Sequence, residues 1–465
     1  MRNRTDTGGL NMEDEDRMRR AKLPGKFSEI LHSYYRGKIS VSLKAPVRDF
    51  SDFALWYTPG VATPCRAIAE DISKSWEHTN RSNTIAVISD GTRVLGLGDI
   101  GPEAGMPVME GKALLFKYLG GVDAYPLCLK KMDKERFIET VKAMEPSLGG
   151  INLEDISTPK CFEILERLRE EMDIPVWHDD QQGTATVEVA GFINATKLVG
   201  KKPEEMQVTM IGAGAANLRI ADILTQIGVR SDNIIMCDSK GVMSSERDDL
   251  EYLRDHNPEK YRACTDYSGA STECSMESCT KGSDAVLGAS RPVPGTITEK
   301  MIEDMADQPI VFAAANPEPE IWPWEAKEAG AYVVATGRSD FPNQINNSLG
   351  FPGIFRGTLD VRAKTITDSM CVAAARELAK VAEDKGLRPD YIIPSMEEWE
   401  VFPREAVAVG MKAQEEGIAR IKRSRNELMD MAVKIIEGAR HETEVKMHEG
   451  LIDEPPGDTS LSELD

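Results

Sequence analysis

Short apolar runs recur along the chain, most of them closing on an acid, an amide or a glycine, at 84–89, 124–129, 151–156, 176–178, 208–211, 233–238, 285–289, 310–315 and 331–336. Between them lie longer segments with apolar residues at helical spacing, at 27–35, 64–71, 133–144, 159–171 and 184–198, followed by Ala-rich helical patterns at 369–383 and 403–439. Short buried-type strands separated by helices predict an α/β fold with parallel sheets. The stretch 93–99, spaced by glycines after the Asp90-Gly91 turn, reads as a hairpin partner of 84–89.

With 465 residues the chain exceeds what one core organises. A break at Val199-Gly200-Lys201-Lys202-Pro203 separates a first domain, 25–199, from a second, 200–336, with a C-terminal segment over 337–441. Residues 1–24 are charged and short of aromatics, as in a mobile or weakly helical arm, and the acidic, Pro-containing 442–465 reads as a disordered tail. The Ser-, Thr- and Cys-rich region 248–282 reads as a variable excursion of the second domain.

Charge narrows the partners. Lys and Arg number 56 against 77 Asp and Glu, a formal charge of -21, which argues against nucleic acid and anionic membranes but leaves small anions open, since a site can be locally positive. Among the eight cysteines only Cys274 and Cys279 lie near each other, with Cys264 before them, and neither CxxC nor a histidine at zinc-like spacing occurs. Reduced thiols in the cytosol are the simpler expectation. The polar start, 1–16, lacks the apolar core of a signal peptide, and no apolar run approaches the ~20 residues of a membrane span. A soluble, cytoplasmic protein is expected.

Chemistry concentrates in a few stretches. Asp179-Asp180 and Glu154-Asp155 each close an apolar run, bringing four carboxylates to the ends of two neighbouring elements. Groups so placed repel one another unless a cation neutralises them, and hard divalent ions such as Mg²⁺ or Mn²⁺ take carboxylate oxygens. Lys112 stands at what reads as the opening of a helix, where the dipole and burial would lower its pKa into the range of a general base. Farther on, the stretch 207–221 reads as strand, glycine turn and helix around Gly212 and Gly214, with Ala215 and Ala216 opening the helix. Asp238 ends the next strand about two dozen residues later, the spacing of a Rossmann-type, doubly wound dinucleotide domain. Asn217 replaces the third fingerprint glycine. Asp238 suits the ribose hydroxyls of NAD, while Ser239 and Lys240 suit the 2′-phosphate of NADP, and both readings stay open. Amide-rich loops after strands, at Asn316-Pro317 and Asn346-Asn347, suit a carboxylate ligand.

Tyr57-Thr58-Pro59-Gly60-Val61, Ser89-Asp90-Gly91 with 95–99, Gly111-Lys112, 152–155, 178–184, Ala315-Asn316-Pro317 and Asn346-Asn347 with Phe351-Pro352-Gly353 resemble, in order, the malic enzymes, especially the small-subunit prokaryotic type. The resemblance covers roughly residues 25 to 440. It implies a Rossmann-type domain flanked by an α/β substrate domain built from both chain ends and completed by C-terminal helices. It also implies Glu154, Asp155 and Asp180 as metal ligands, Lys112 as general base, Tyr57 as general acid and Asp179 as the group tuning Lys112. Arg93, Asn316 and Asn347 match positions that hold substrate carboxylates, with Asn316 also at the cofactor. The implied reaction is oxidative decarboxylation of L-malate to pyruvate with reduction of NAD or NADP, in a homodimer or higher homo-oligomer. A malolactic-type lyase is the alternative, and a non-catalytic nucleotide-binding regulator the rival from another class.

Overall fold

The computed structural model describes residues 12–267 and 275–457. Within 42–440 lie two sheets. The first, ordered β2-β1-β3-β4 and wholly parallel, comprises β1 (Thr84–Ser89), β2 (Asp123–Cys128), β3 (Gly150–Leu153) and β4 (Val176–His178). β1 and β3 are buried along their whole length, which is why they carry no polar alternation. Helices Pro102–Gly120, Lys134–Ala143 and Lys160–Glu171 connect them. The second of these starts on a cap the sequence announces, Asp133 accepting from the Arg136 amide at 2.9 Å.

The second sheet comprises β5 (Val208–Ile211), β6 (Ile234–Asp238), β7 (Gly241–Val242), β8 (Ala285–Gly288), β9 (Ile310–Ala313) and β10 (Val333–Thr336). Its order is β10-β9-β8-β5-β6-β7, parallel except for the short antiparallel β7. β5 thus lies between β6 and β8, and the strand order reverses at its carboxyl end, where open α/β sheets bind ligands. The doubly wound architecture expected from the glycine turn is present.

Helices Phe351–Asp360, Asp368–Lys385 and Val401–Glu415 follow. Phe351 and Phe355 pack on Phe116 with ring centroids 4.5 and 5.1 Å away, and Phe355 meets Trp177 edge-on at 6.3 Å. The end of the chain therefore completes the core around the first sheet, each such pair adding roughly 0.5–1.5 kcal/mol beyond its buried area.

The expected hairpin is absent. β1 is flanked on both sides by parallel strands, so 93–99 has no edge to join and forms a loop closed by a single Val94–Gly98 bridge. Residues 12–41 and 441–457 form a separate unit, in which Tyr35 donates to the Asp453 carbonyl at 2.7 Å. The helix Met12–Tyr35 begins well before residue 24, within the arm expected to be mobile or weakly helical, and helix Arg425–His448 runs past 442 into the tail expected to be disordered. Residues 1–11, 268–274 (with Cys274) and 458–465, parts of the expected arm, excursion and tail, lie outside the described residues. Among the described residues no helix is long and apolar enough to cross a membrane.

Candidate active site

Because Leu153 pairs with His178 across neighbouring parallel strands, the acids after β3 and β4 emerge side by side. β4 leads into one π-helical turn, Asp179–Gly183, before helix Thr184–Leu198. A Cβ at 183 would lie 2.0 Å from Asp179 Oδ1, so a side chain there would displace that carboxylate. Asp155 adopts a left-handed φ of 54°, a conformation costly for a residue with a side chain and typical of functional sites.

Three carboxylates converge. One oxygen from each of Glu154, Asp155 and Asp180 lies within 4.8 Å of the others. Glu154 and Asp155 are buried, whereas the Asp180 side chain is 37% exposed. Asn152 Nδ2 donates to Glu154 Oε2 at 2.9 Å, and the Asp155 amide donates to Asp180 Oδ2 at 2.9 Å. Asp155 Oδ2 is buried without a hydrogen-bond partner among the described residues. Burial and the Asp180 charge push the Asp155 carboxyl up to about 8, and burial holds Glu154 well above the usual carboxylate range. An all-oxygen set with an orphaned lone pair and mutual repulsion fits a hard divalent cation.

Lys112 joins this cluster from helix Pro102–Gly120. Its Nζ lies 2.5 Å from Asp179 Oδ2 and 3.2 Å from Glu154 Oε1, and 4.5 Å from the centre of the Phe351 ring. Trp177 Nε1 donates to the other Asp179 oxygen at 3.2 Å, fixing that carboxylate in place. The expectation of a lowered lysine pKa is overturned. The helix starts at Pro102, so Lys112 sits near its middle, beyond reach of the amino-terminal dipole. Burial does oppose the charge, but Asp179, Glu154 and Asp180 outweigh it and raise the ammonium pKa.

The remaining polar residues divide. Arg93 donates its backbone amide to the Asp155 carbonyl at 3.1 Å, and Leu95 donates to Asp155 Oδ1 at 3.1 Å, so their loop folds directly over the acids. A Cβ on Gly96 of this loop would lie 2.5 Å from the Asn316 carbonyl oxygen, which brings Asn316, after β9, to the same place. Asn347 opens the short turn Asn347–Leu349, its Cβ 3.2 Å from where a Gly183 Cβ would be. Tyr57 is not among them: its side chain is 70% exposed and its hydroxyl has no hydrogen-bond partner among the described residues.

At the second sheet, Gly212 turns at φ 105°, donates to the Cys237 carbonyl at 2.8 Å, and packs where a Cβ would meet Ala289 and Ser290 at 3.0 Å. Gly214 caps helix Ala215–Gln226 with open space around it, as a pyrophosphate at a helix amino end requires. Asn217 is buried and donates to the carbonyls of Ile211 and Gly212 at 2.9 and 2.8 Å, so it braces the turn that a third glycine would otherwise let pack. Asp238 meets Arg247 at 2.9 Å and Lys260 at 3.0 Å, while exposed Lys240 pairs with Asp249. Neither Arg247 nor Lys260 was singled out in the sequence, because both lie in the poorly patterned 248–282 region or at its edge. Asn152, Trp177 and Phe351 lie within recognised motifs or apolar runs, and nothing in their spacing marks them as contacts of Glu154, Asp179 and Lys112.

Residues 36–169 match the family described as malic enzyme, N-terminal domain, and residues 181–414 the family described as malic enzyme, NAD binding domain. The chain is 47% identical over 405 residues to the bifunctional malic/malolactic enzyme of Bacillus subtilis (strain 168), covering 87% of this chain and 97% of that one. It is 49% identical over 391 residues to the NAD-dependent malic enzyme of Geobacillus stearothermophilus, covering 83% and 78%. The crystal structure of the Entamoeba histolytica malic enzyme superposes with a TM-score of 0.93 at 42% identity, covering 98% of this chain and 95% of that one. On all three grounds, this chain belongs to the malic enzyme family.

Proposed function

We propose that the protein catalyses the oxidative decarboxylation of L-malate to pyruvate and CO₂, reducing NAD or NADP and depending on Mg²⁺ or Mn²⁺. The observation that carries this reading is the convergence of three carboxylate oxygens within 4.8 Å, with the buried ammonium of Lys112 against one of them. Glu154, Asp155 and Asp180 would hold the cation. Bound there, it would stabilise negative charge developing on the substrate oxygen during decarboxylation, and the nicotinamide would take the electron pair.

The chain's own groups carry the protons. Lys112 loses the counter-charges of Glu154 and Asp180 once these carboxylates are committed to a cation, and its pKa falls toward that of a general base. As a free amine it takes the proton of the malate C2 hydroxyl, while Asp179, held by Trp177, keeps it oriented. Arg93, Asn316 and Asn347 orient the substrate carboxylates. Tyr57, which stands outside the acid cluster of its own chain, would protonate the enol at C3 in a neighbouring subunit's site. It stands in an exposed apolar stretch with Phe50, Leu55 and Trp56, which supports assembly as a homodimer or higher homo-oligomer. Gly212, Gly214, Ala215 and Ala216 cradle the pyrophosphate. Asp238 accepts the ribose hydroxyls, with Ser239 and Lys240 beside it for a 2′-phosphate.

Lys112→Ala is expected to lower malate oxidation by at least a thousandfold while leaving nucleotide binding intact. Full activity in that variant would remove Lys112 from the mechanism. The name of the Bacillus subtilis relative favours a second reading, malolactic conversion to lactate without net redox. One NAD(P)H formed per malate consumed supports the oxidative reaction, whereas lactate with no free NAD(P)H supports the second.

A further inference from the structure

Two cysteines that the proposed chemistry does not use meet inside the nucleotide domain. Cys237 and Cys279 are 42 positions apart in sequence, yet their Sγ atoms lie 3.1 Å apart, with the residues 0% and 2% exposed. Cys237 belongs to β6, where its carbonyl accepts the Gly212 amide at 2.8 Å and its neighbour is Asp238. Cys279 lies in the turn Ser278–Thr280, and its carbonyl accepts from Thr209 on β5 at 2.9 Å. Glu277 and Ser278, just before it in the chain, are exposed. A disulfide needs the sulfurs at about 2.0 Å, roughly 1 Å closer than here.

We propose that Cys237 and Cys279 are a modification site, an intrachain disulfide formed by exchange with a small-molecule disulfide, and that its closure weakens nucleotide binding. The Cys279 thiolate attacks one sulfur of the reagent R–S–S–R, forming Cys279–S–S–R and expelling RS⁻. The Cys237 thiolate then attacks the Cys279 sulfur and expels the second RS⁻. The two cysteine protons end on the two released thiols, so the protein loses two electrons and two protons and the reagent gains them. Drawing Cys237 toward Cys279 pulls on the end of β6, which holds both the Gly212 turn and Asp238. The affinity part of the proposal rests on the nucleotide reading above.

The test uses the full-length protein, treated with oxidised glutathione or with dithiothreitol. It is followed by non-reducing peptide mass mapping and by fluorescence titration with NADH and NADPH. The expected result is a cross-linked peptide pair containing Cys237 and Cys279, with nucleotide affinity lowered about fivefold or more and restored by dithiothreitol. Cys279→Ser should abolish both effects, and the wild-type comparison stands alone if that variant folds poorly. Two free, alkylatable thiols after oxidation overturn the proposal, and so does a cross-linked protein with unchanged affinity. A reduced protein that binds neither nucleotide contradicts the nucleotide reading itself, while the peptide map still decides the linkage.

Discussion

Two carboxylates within 3.2 Å of the Lys112 ammonium decide its charge, and the site around it was only partly readable from the chain. The acid pairs were legible because adjacent carboxylates after an apolar run have no packing role. The direction of the Lys112 shift was not, because it depends on where the helix begins and on acids 42 and more positions away. His178 shows the same dependence on burial. It is 0% exposed, neither ring nitrogen has a hydrogen-bond partner among the described residues, and burial lowers its pKa to about 3 from 6.5. Below pH 6.5 the unfolded chain binds a proton at this position that the folded chain refuses, so this residue's contribution to stability falls as pH drops from 6.5 to 3. The loss amounts to on the order of 4 kcal/mol. His178→Gln should therefore flatten the fall of Tm between those pH values. An unchanged slope in calorimetry would contradict the assignment.

Elements were recognised where burial leaves a composition signal and missed where topology decides. Strands β1, β5, β8 and β9 are short apolar runs and were visible. Stretch 93–99 has strand-like alternation, but both edges of β1 are taken. The two-residue β7 is too short to leave a pattern. Helix packing depends on single glycines: a Cβ on Gly357 would lie 2.1 Å from the Ala406 carbonyl, where helices Phe351–Asp360 and Val401–Glu415 cross. Since backbone cannot yield as a flexible side chain can, Gly357→Ala should cost about 1–3 kcal/mol, read as a lowered urea midpoint. The same helix begins at Phe351, beneath Lys112, so the variant should also lose activity below its unfolding range.

Over the whole molecule, the doubly wound sheet and the returning C-terminal helices were foreseen from the order of motifs. The proximity of Cys237 to Cys279 was not, because they stand 42 positions apart in sequence. A formal charge of -21 surrounds a site that must attract a dicarboxylate, which makes the cation as much a matter of binding as of chemistry. The most direct test is therefore the initial rate of malate oxidation by chelator-stripped protein, titrated with Mn²⁺, beside Glu154→Gln, Asp155→Asn and Asp180→Asn variants. The account predicts a wild type that is inactive when stripped and restored by Mn²⁺, with each variant needing far more metal or not recovering. A stripped wild type turning over at full rate, or variants that respond to Mn²⁺ as the wild type does, would contradict it.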